Sequence, residues 1–171
     1  IPFNDFLFNR CNHLLDGLMI DPDIIFSTDA VIQIQNYLFD SLDNKENIFR
    51  NPLAFDDNLF IKEILLSIDF MESKKIDDLI NKFIEFYLLK PFNKGNLISG
   101  LIWLDLMIRI KFKQYINYKD INSKELLEAI NESFKEPNKL YDLINASLLK
   151  IDEEENRIEN VNYIINIGKV P

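Results

Sequence analysis

Apolar residues recur three and four positions apart along most of the chain, and only 4 Gly and 6 Pro interrupt them. That periodicity predicts a mostly helical protein. Ile24, Ile25 and Phe26 followed by Ser27 and Thr28 give an apolar approach and a capping hydroxyl, after which Val31, Ile34, Tyr37 and Leu38 fall on one helical stripe. Residues 43–47 are polar and end that helix. Residues 50–58, with Pro52 and several turn formers, read as a non-helical connection. Helices are then expected over 59–71, with Phe60, Ile64 and Ile68 four apart, and over 76–89, where Leu79, Ile80, Phe83, Ile84, Tyr87 and Leu88 face a core until Pro91 stops the helix.

The next helix, residues 96–111, is apolar on all sides apart from Asp105 and Arg109, an i,i+4 pair. A helix of that kind belongs at the centre of a bundle. Asn122 with Glu125 three later resembles a capping box opening a helix that runs to Phe134, and Pro137 precedes a last helical stretch at 140–149. Four adjacent carboxylates at 152–155 point in different directions on a helix, so a solvated end is expected rather than a metal site. Residues 161–167 alternate as a short strand does and would pair with another β segment or with a partner chain. The fold class expected is therefore all-α, a bundle around the buried helix near 96–111, with a short β-hairpin or this C-terminal strand as its β structure.

The chain has 171 residues, 47% of them apolar and 14 of them Phe, which suits a single domain over 1–171 with a full core. A formal charge of −9 argues against nucleic-acid or anionic-membrane partners, because phosphate backbones require concentrated Lys and Arg. No secretory pattern is read in the first residues. The longest apolar run, 97–107, is too short to span a bilayer and contains Asp105. The lone Cys11 excludes an internal disulfide and suits a reducing compartment, so a cytoplasmic protein is expected, with Cys11 as a small buried hydrophobe. His13, the only histidine, stands outside any metal-ligand spacing and is expected to be structural, while Trp103 is expected in the core. No metal and no cofactor are expected.

Chemistry, if there is any, begins at residues 90–101, K-P-F-N-K-G-N-L-I-S-G-L, where a polar loop breaks into the apolar helix. Gly95 allows a tight turn, and the amides from Asn96 onward open a helix with unpartnered N–H groups that favour an anion. The loop resembles the signature of the Fic family, H-x-F-x-[D/E]-G-N-G-R-x-x-R, through Pro91, Phe92, Gly95 and Asn96. The likeness extends over about residues 24–150. Residues 26–39 are similar to an early Fic helix, Ile48, Phe49 and Arg50 fall where the family has a G-x-x-R segment, and 117–129 with 140–148 resemble its closing helices.

The resemblance implies a Fic-like fold and, in the family, transfer of AMP or a related group to a protein hydroxyl. It also marks what this chain lacks. Lys90 stands in place of the histidine base, Lys94 in place of the magnesium-binding acid, Leu97 in place of a glycine, and Ile98 and Leu101 in place of both arginines. An ordinary lysine is protonated at neutral pH and donates rather than accepts, and loss of a general base lowers a rate by on the order of 10² to 10⁴. The family's inhibitory Ser/Thr-x-x-x-Glu element is not found, and residues 50–59 are short for the β-hairpin flap that holds a target chain. No catalytic residue is assigned.

Two functions are therefore expected, with a third beside them. The first is a catalytically inactive Fic-like domain that binds a protein partner, or a nucleotide or phosphate without metal at Lys90, Lys94, Gly95 and Asn96. The second is a transferase with rewired residues, in which Lys90 or a residue outside the loop is the base. The third is a helical interaction module unrelated to Fic. Two ordinary solvated lysines remain an open reading of Lys90 and Lys94.

Overall fold

An all-round apolar helix is stable only when other helices surround it, and every residue from Leu97 to Arg109 is buried. The structure, a computed structural model, describes residues 3–39, 49–50 and 55–169. Its elements are α1 (Phe3–Leu15), α2 (Thr28–Phe39), α3 (Phe55–Asp69), α4 (Ile76–Leu89), α5 (Asn96–Phe112), β1 (Gln114–Ile116), α6 (Ser123–Glu132), α7 (Asn138–Ala146), β2 (Leu148–Lys150) and α8 (Arg157–Gly168), with single 3-10 turns at Tyr118–Asp120 and Ile151–Glu153. The fold is all-α with one small sheet. Helices α1, α2, α4 and α8 pack on α5, and α3 lies outside them against α2 and α4. The approach of α4 to α5 depends on Gly100, where a Cβ would meet Phe83 at 2.8 Å and Phe86 at 3.0 Å.

Three side chains from three helices hold the segment before α2. The Trp103 indole N–H donates to the Ile25 carbonyl at 2.7 Å, the Lys82 ammonium to the Phe26 carbonyl at 2.6 Å, and the Thr28 amide donates to Asp69 at 2.7 Å. Asp69, on α3, therefore performs the capping expected of a local hydroxyl; Ser27 donates instead to the Ile24 carbonyl. Lys82 is only 2% exposed. Burial lowers its pKa, with the Asp69 charge opposing that shift.

Buried charge also joins the far end of α5 to the rest. Arg109 donates to Asp105 at 2.6 Å and to both oxygens of Glu154, the first at 2.9 Å, and the Ile116 amide donates to the other Asp105 oxygen at 2.8 Å. Arg157 extends the chain of contacts to Glu154 at 2.8 Å and to Asp16. The run 152–155 is thus not a uniformly solvated end. Burial alone would raise the Glu154 carboxyl, but hydrogen bonds and charge from Arg109 and Arg157 outweigh it and hold its pKa below the ordinary value.

The strand expected at 161–167 is part of α8. Seven residues with apolar positions at 161, 164, 165 and 167 fit a helix as well as a strand, and burial of Val161, Ile164, Ile165 and Ile167 on one stripe selects the helix. The sheet instead pairs β1 with β2 antiparallel, Tyr115 opposite Leu149. It is not a hairpin, because α6 and α7 lie between its strands. Helix α3 begins at Phe55 rather than at residue 59. Helix α1 was not expected, although Leu7, Cys11, Leu14 and Leu15 make a helical stripe that is buried. The polar stretch 43–47 and residues 51–54 of the expected connection lie outside the described residues. The capping expectation at Asn122 holds, its side chain accepting from the Glu125 amide at 3.1 Å.

Candidate functional site

The corner between α4 and α5 is built by two left-handed residues. Lys90 ends α4 with φ 45 and its amide on the Phe86 carbonyl, and Gly95 precedes α5 with φ 72. A β-carbon at Gly95 would fall 2.4 Å from the Phe39 ring, so glycine is required there by conformation and by space together. Just after Gly95, Asn96 closes the loop on itself. Its side-chain oxygen accepts from the Phe92 amide at 3.0 Å and its amide donates to the Phe92 carbonyl at 3.1 Å.

Neighbouring segments clamp this corner from two sides. Phe49 forms an isolated antiparallel bridge with Phe92, and their rings stack at 6.3 Å. The Arg50 amide donates to the Pro91 carbonyl at 2.8 Å and its Nε to the Lys90 carbonyl at 3.0 Å, while the guanidinium pairs with Asp57 at 3.1 Å. From α2, Gln35 donates to the Lys94 carbonyl at 2.9 Å and accepts from the buried Ser99 hydroxyl at 2.7 Å. Phe49 and Arg50 thus both meet the loop.

The four candidate anion-binding residues share the corner, and the two lysines turn to different rings. The Lys90 ammonium lies 4.1 Å from the centre of the Tyr87 ring, and the Lys94 ammonium 5.9 Å from that of Phe39. Those rings belong to α4 and α2. The Asn96 side chain is spent on Phe92, and Phe39 covers Gly95. Lys90 instead lines a notch of about 90 Å³ with Tyr87, Leu88, Ile130 and Phe134, and burial lowers its pKa. A pocket for a drug-sized or cofactor ligand holds roughly 300–1,000 Å³, so this notch has room for one side chain or one small anion. The rings beneath the two lysines were not read from the sequence; Tyr87, three before Lys90 on a helix, carried the signal.

The other residues singled out in the sequence make hydrogen-bond or packing contacts. The His13 ring nitrogen meets the Tyr37 hydroxyl at 3.1 Å between α1 and α2, and Trp103 is in the core. Cys11 is buried, which pushes its thiol pKa up to about 12. Among the described residues no group of three His, Cys, Asp or Glu could hold a metal ion, and no helix is long and apolar enough to cross a membrane. No family model matches the chain.

Proposed function

We propose that this is a Fic-like helical domain that acts by binding a protein partner at the corner formed by residues 87–96, without transferring AMP. The observation that carries the reading is the local use of the loop's polar groups: Asn96 is bonded to the Phe92 backbone and Lys90 lies over Tyr87. Support for the Fic-like part comes from the tight turn at Gly95, the helix opening at Asn96, and the contact of Phe49 and Arg50 with the loop. A plain helical module requires none of these.

Against transfer stands the chemistry of the substituted positions. Lys94 cannot ligate magnesium, which takes oxygen ligands. The Lys90 ammonium lies over the Tyr87 ring, a contact that by itself favours the protonated form and opposes the burial that lowers its pKa. A notch with Leu88 and Phe134 at 51% and 54% exposure on its rim, and Lys90 beside it, suits an apolar partner side chain with a neighbouring carboxylate.

One observation favours the rewired transferase: burial moves the Lys90 pKa toward the range of a base. Incubation with radiolabelled ATP, magnesium and a cell extract separates the two. The binding reading predicts no label beyond that of the extract alone, and added label that disappears in Lys90→Ala would overturn it. Phosphate binding without metal, lost in Lys90→Ala or Lys94→Ala, would identify an anion as the ligand in place of a protein.

A further inference from the structure

Helix α3 has two apolar faces, and the bundle uses only one. Ile61, Leu65 and Ile68 are 0%, 5% and 1% exposed against α2 and α4, whereas Leu59 and Leu66 on the opposite face are 48% and 56% exposed, Phe70 in the turn that follows the helix is 82% exposed, and Phe60 beside them is 50% exposed. A surface helix with one core stripe ordinarily turns charge to solvent. Here the outward helix positions 59, 63 and 66, continued by 70 in the turn just after the helix, are spaced four, three and four apart, the spacing of a seam between two helices, with Glu63 as its one polar member.

We propose that this face is the contact between two copies of the chain, with the two α3 helices antiparallel about a twofold axis between Ile64 and Leu65. The seam is self-complementary in that direction alone. Antiparallel pairing sets Leu59 opposite the partner's Phe70 and Glu63 opposite the partner's Leu66, and each contact occurs twice, as twofold symmetry demands. Parallel pairing would set Phe70 on Phe70 and bury Glu63 against Glu63, a like-charge contact. Charge on the flank agrees: the antiparallel register brings Lys62 of one copy beside Asp69 of the other, and one Asp69 oxygen already accepts the Thr28 amide, which fixes its position.

The seam runs about 16 Å along the helix at roughly 1.5 Å per residue, a short contact beside the roughly 800 Å² per partner of a stable interface. The dimer is therefore concentration-dependent. This inference does not rest on the reading of the loop.

Sedimentation equilibrium of the full chain from about 5 to about 500 µM tests it. The weight-average mass is expected to climb from 20.2 kDa toward twice that value. Leu66→Glu and Phe70→Ser, at exposed positions that spare the fold, should each weaken association about tenfold or more. On mild oxidation, a mixture of Glu63→Cys and Leu66→Cys chains should cross-link faster than either variant alone, the buried Cys11 staying out of reaction. A mass that stays monomeric throughout, a dimer indifferent to both substitutions, or cross-linking fastest within Glu63→Cys alone would each overturn the proposal.

Discussion

Replacing Glu154 by Gln separates a solvated acidic run from a buried brace. The Glu154 side chain is 9% exposed and the Arg109 side chain 4%, and Glu154 also holds Arg157. Removing one member of a buried ion pair commonly destabilises by about 3–5 kcal/mol, because the remaining charge stays buried. Asp105 still faces Arg109 in the variant, and the glutamine oxygen still accepts one hydrogen bond, so about 3 kcal/mol is expected. For a chain of this length that lowers Tm by about 6–12 °C.

The pH dependence gives a second readout. A carboxyl whose folded pKa lies below its unfolded one contributes stability that is fully present above the unfolded value and is lost as pH falls through the folded value. For Glu154 the loss therefore begins near the ordinary value of 4.5 and continues below it. Urea unfolding at pH 7 and at pH 4 should show the gap between wild type and Glu154→Gln narrowing at the lower pH. A change within about 0.5 kcal/mol at pH 7, the range of ordinary surface substitutions, would refute the brace.

Gly95→Ala should destabilise by about 2 kcal/mol or more, since a left-handed backbone and a contact at 2.4 Å with Phe39 act together; pairing it with Phe39→Leu should recover part of the loss in thermal unfolding. Trp103→Phe keeps most of the ring but leaves the Ile25 carbonyl without its indole partner, an expected loss of about 1–3 kcal/mol by chemical denaturation. Cys11, with its thiol pKa raised to about 12, should resist alkylation at pH 8 in the folded protein and react promptly in urea; rapid labelling of the native chain would contradict its burial.

How far the sequence disclosed this structure depended on the distance between partners. Helix α5 was legible because an all-round apolar pattern needs no knowledge of its neighbours, and Asp105 with Arg109 because an i,i+4 pair is local. Asn122 was legible for the same reason. Glu154 was not, since its partner Arg109 lies 45 positions earlier, and an acidic run by itself reads as solvated. The α8 stretch failed on period: over seven residues two repeats fit equally, and only the neighbours decide. The buried role of Lys82 was invisible because its acceptor, the Phe26 carbonyl, lies in a different segment. At the corner the backbone turn at Gly95 was readable from its residue type, whereas the rings under Lys90 and Lys94 and the bonding of Asn96 to Phe92 required coordinates.

The most direct test of the central claim is a calorimetric titration of the protein with ATP, in the presence and absence of magnesium. A domain whose Asn96 side chain is bonded to the Phe92 backbone, whose Lys90 lies over Tyr87, and whose Lys90 notch holds about 90 Å³ should give only heats of dilution under both conditions. Saturable binding that needs magnesium and is lost in Asn96→Ala would contradict that account, because it would show a nucleotide and a divalent ion seated where the corner is held to serve a protein partner.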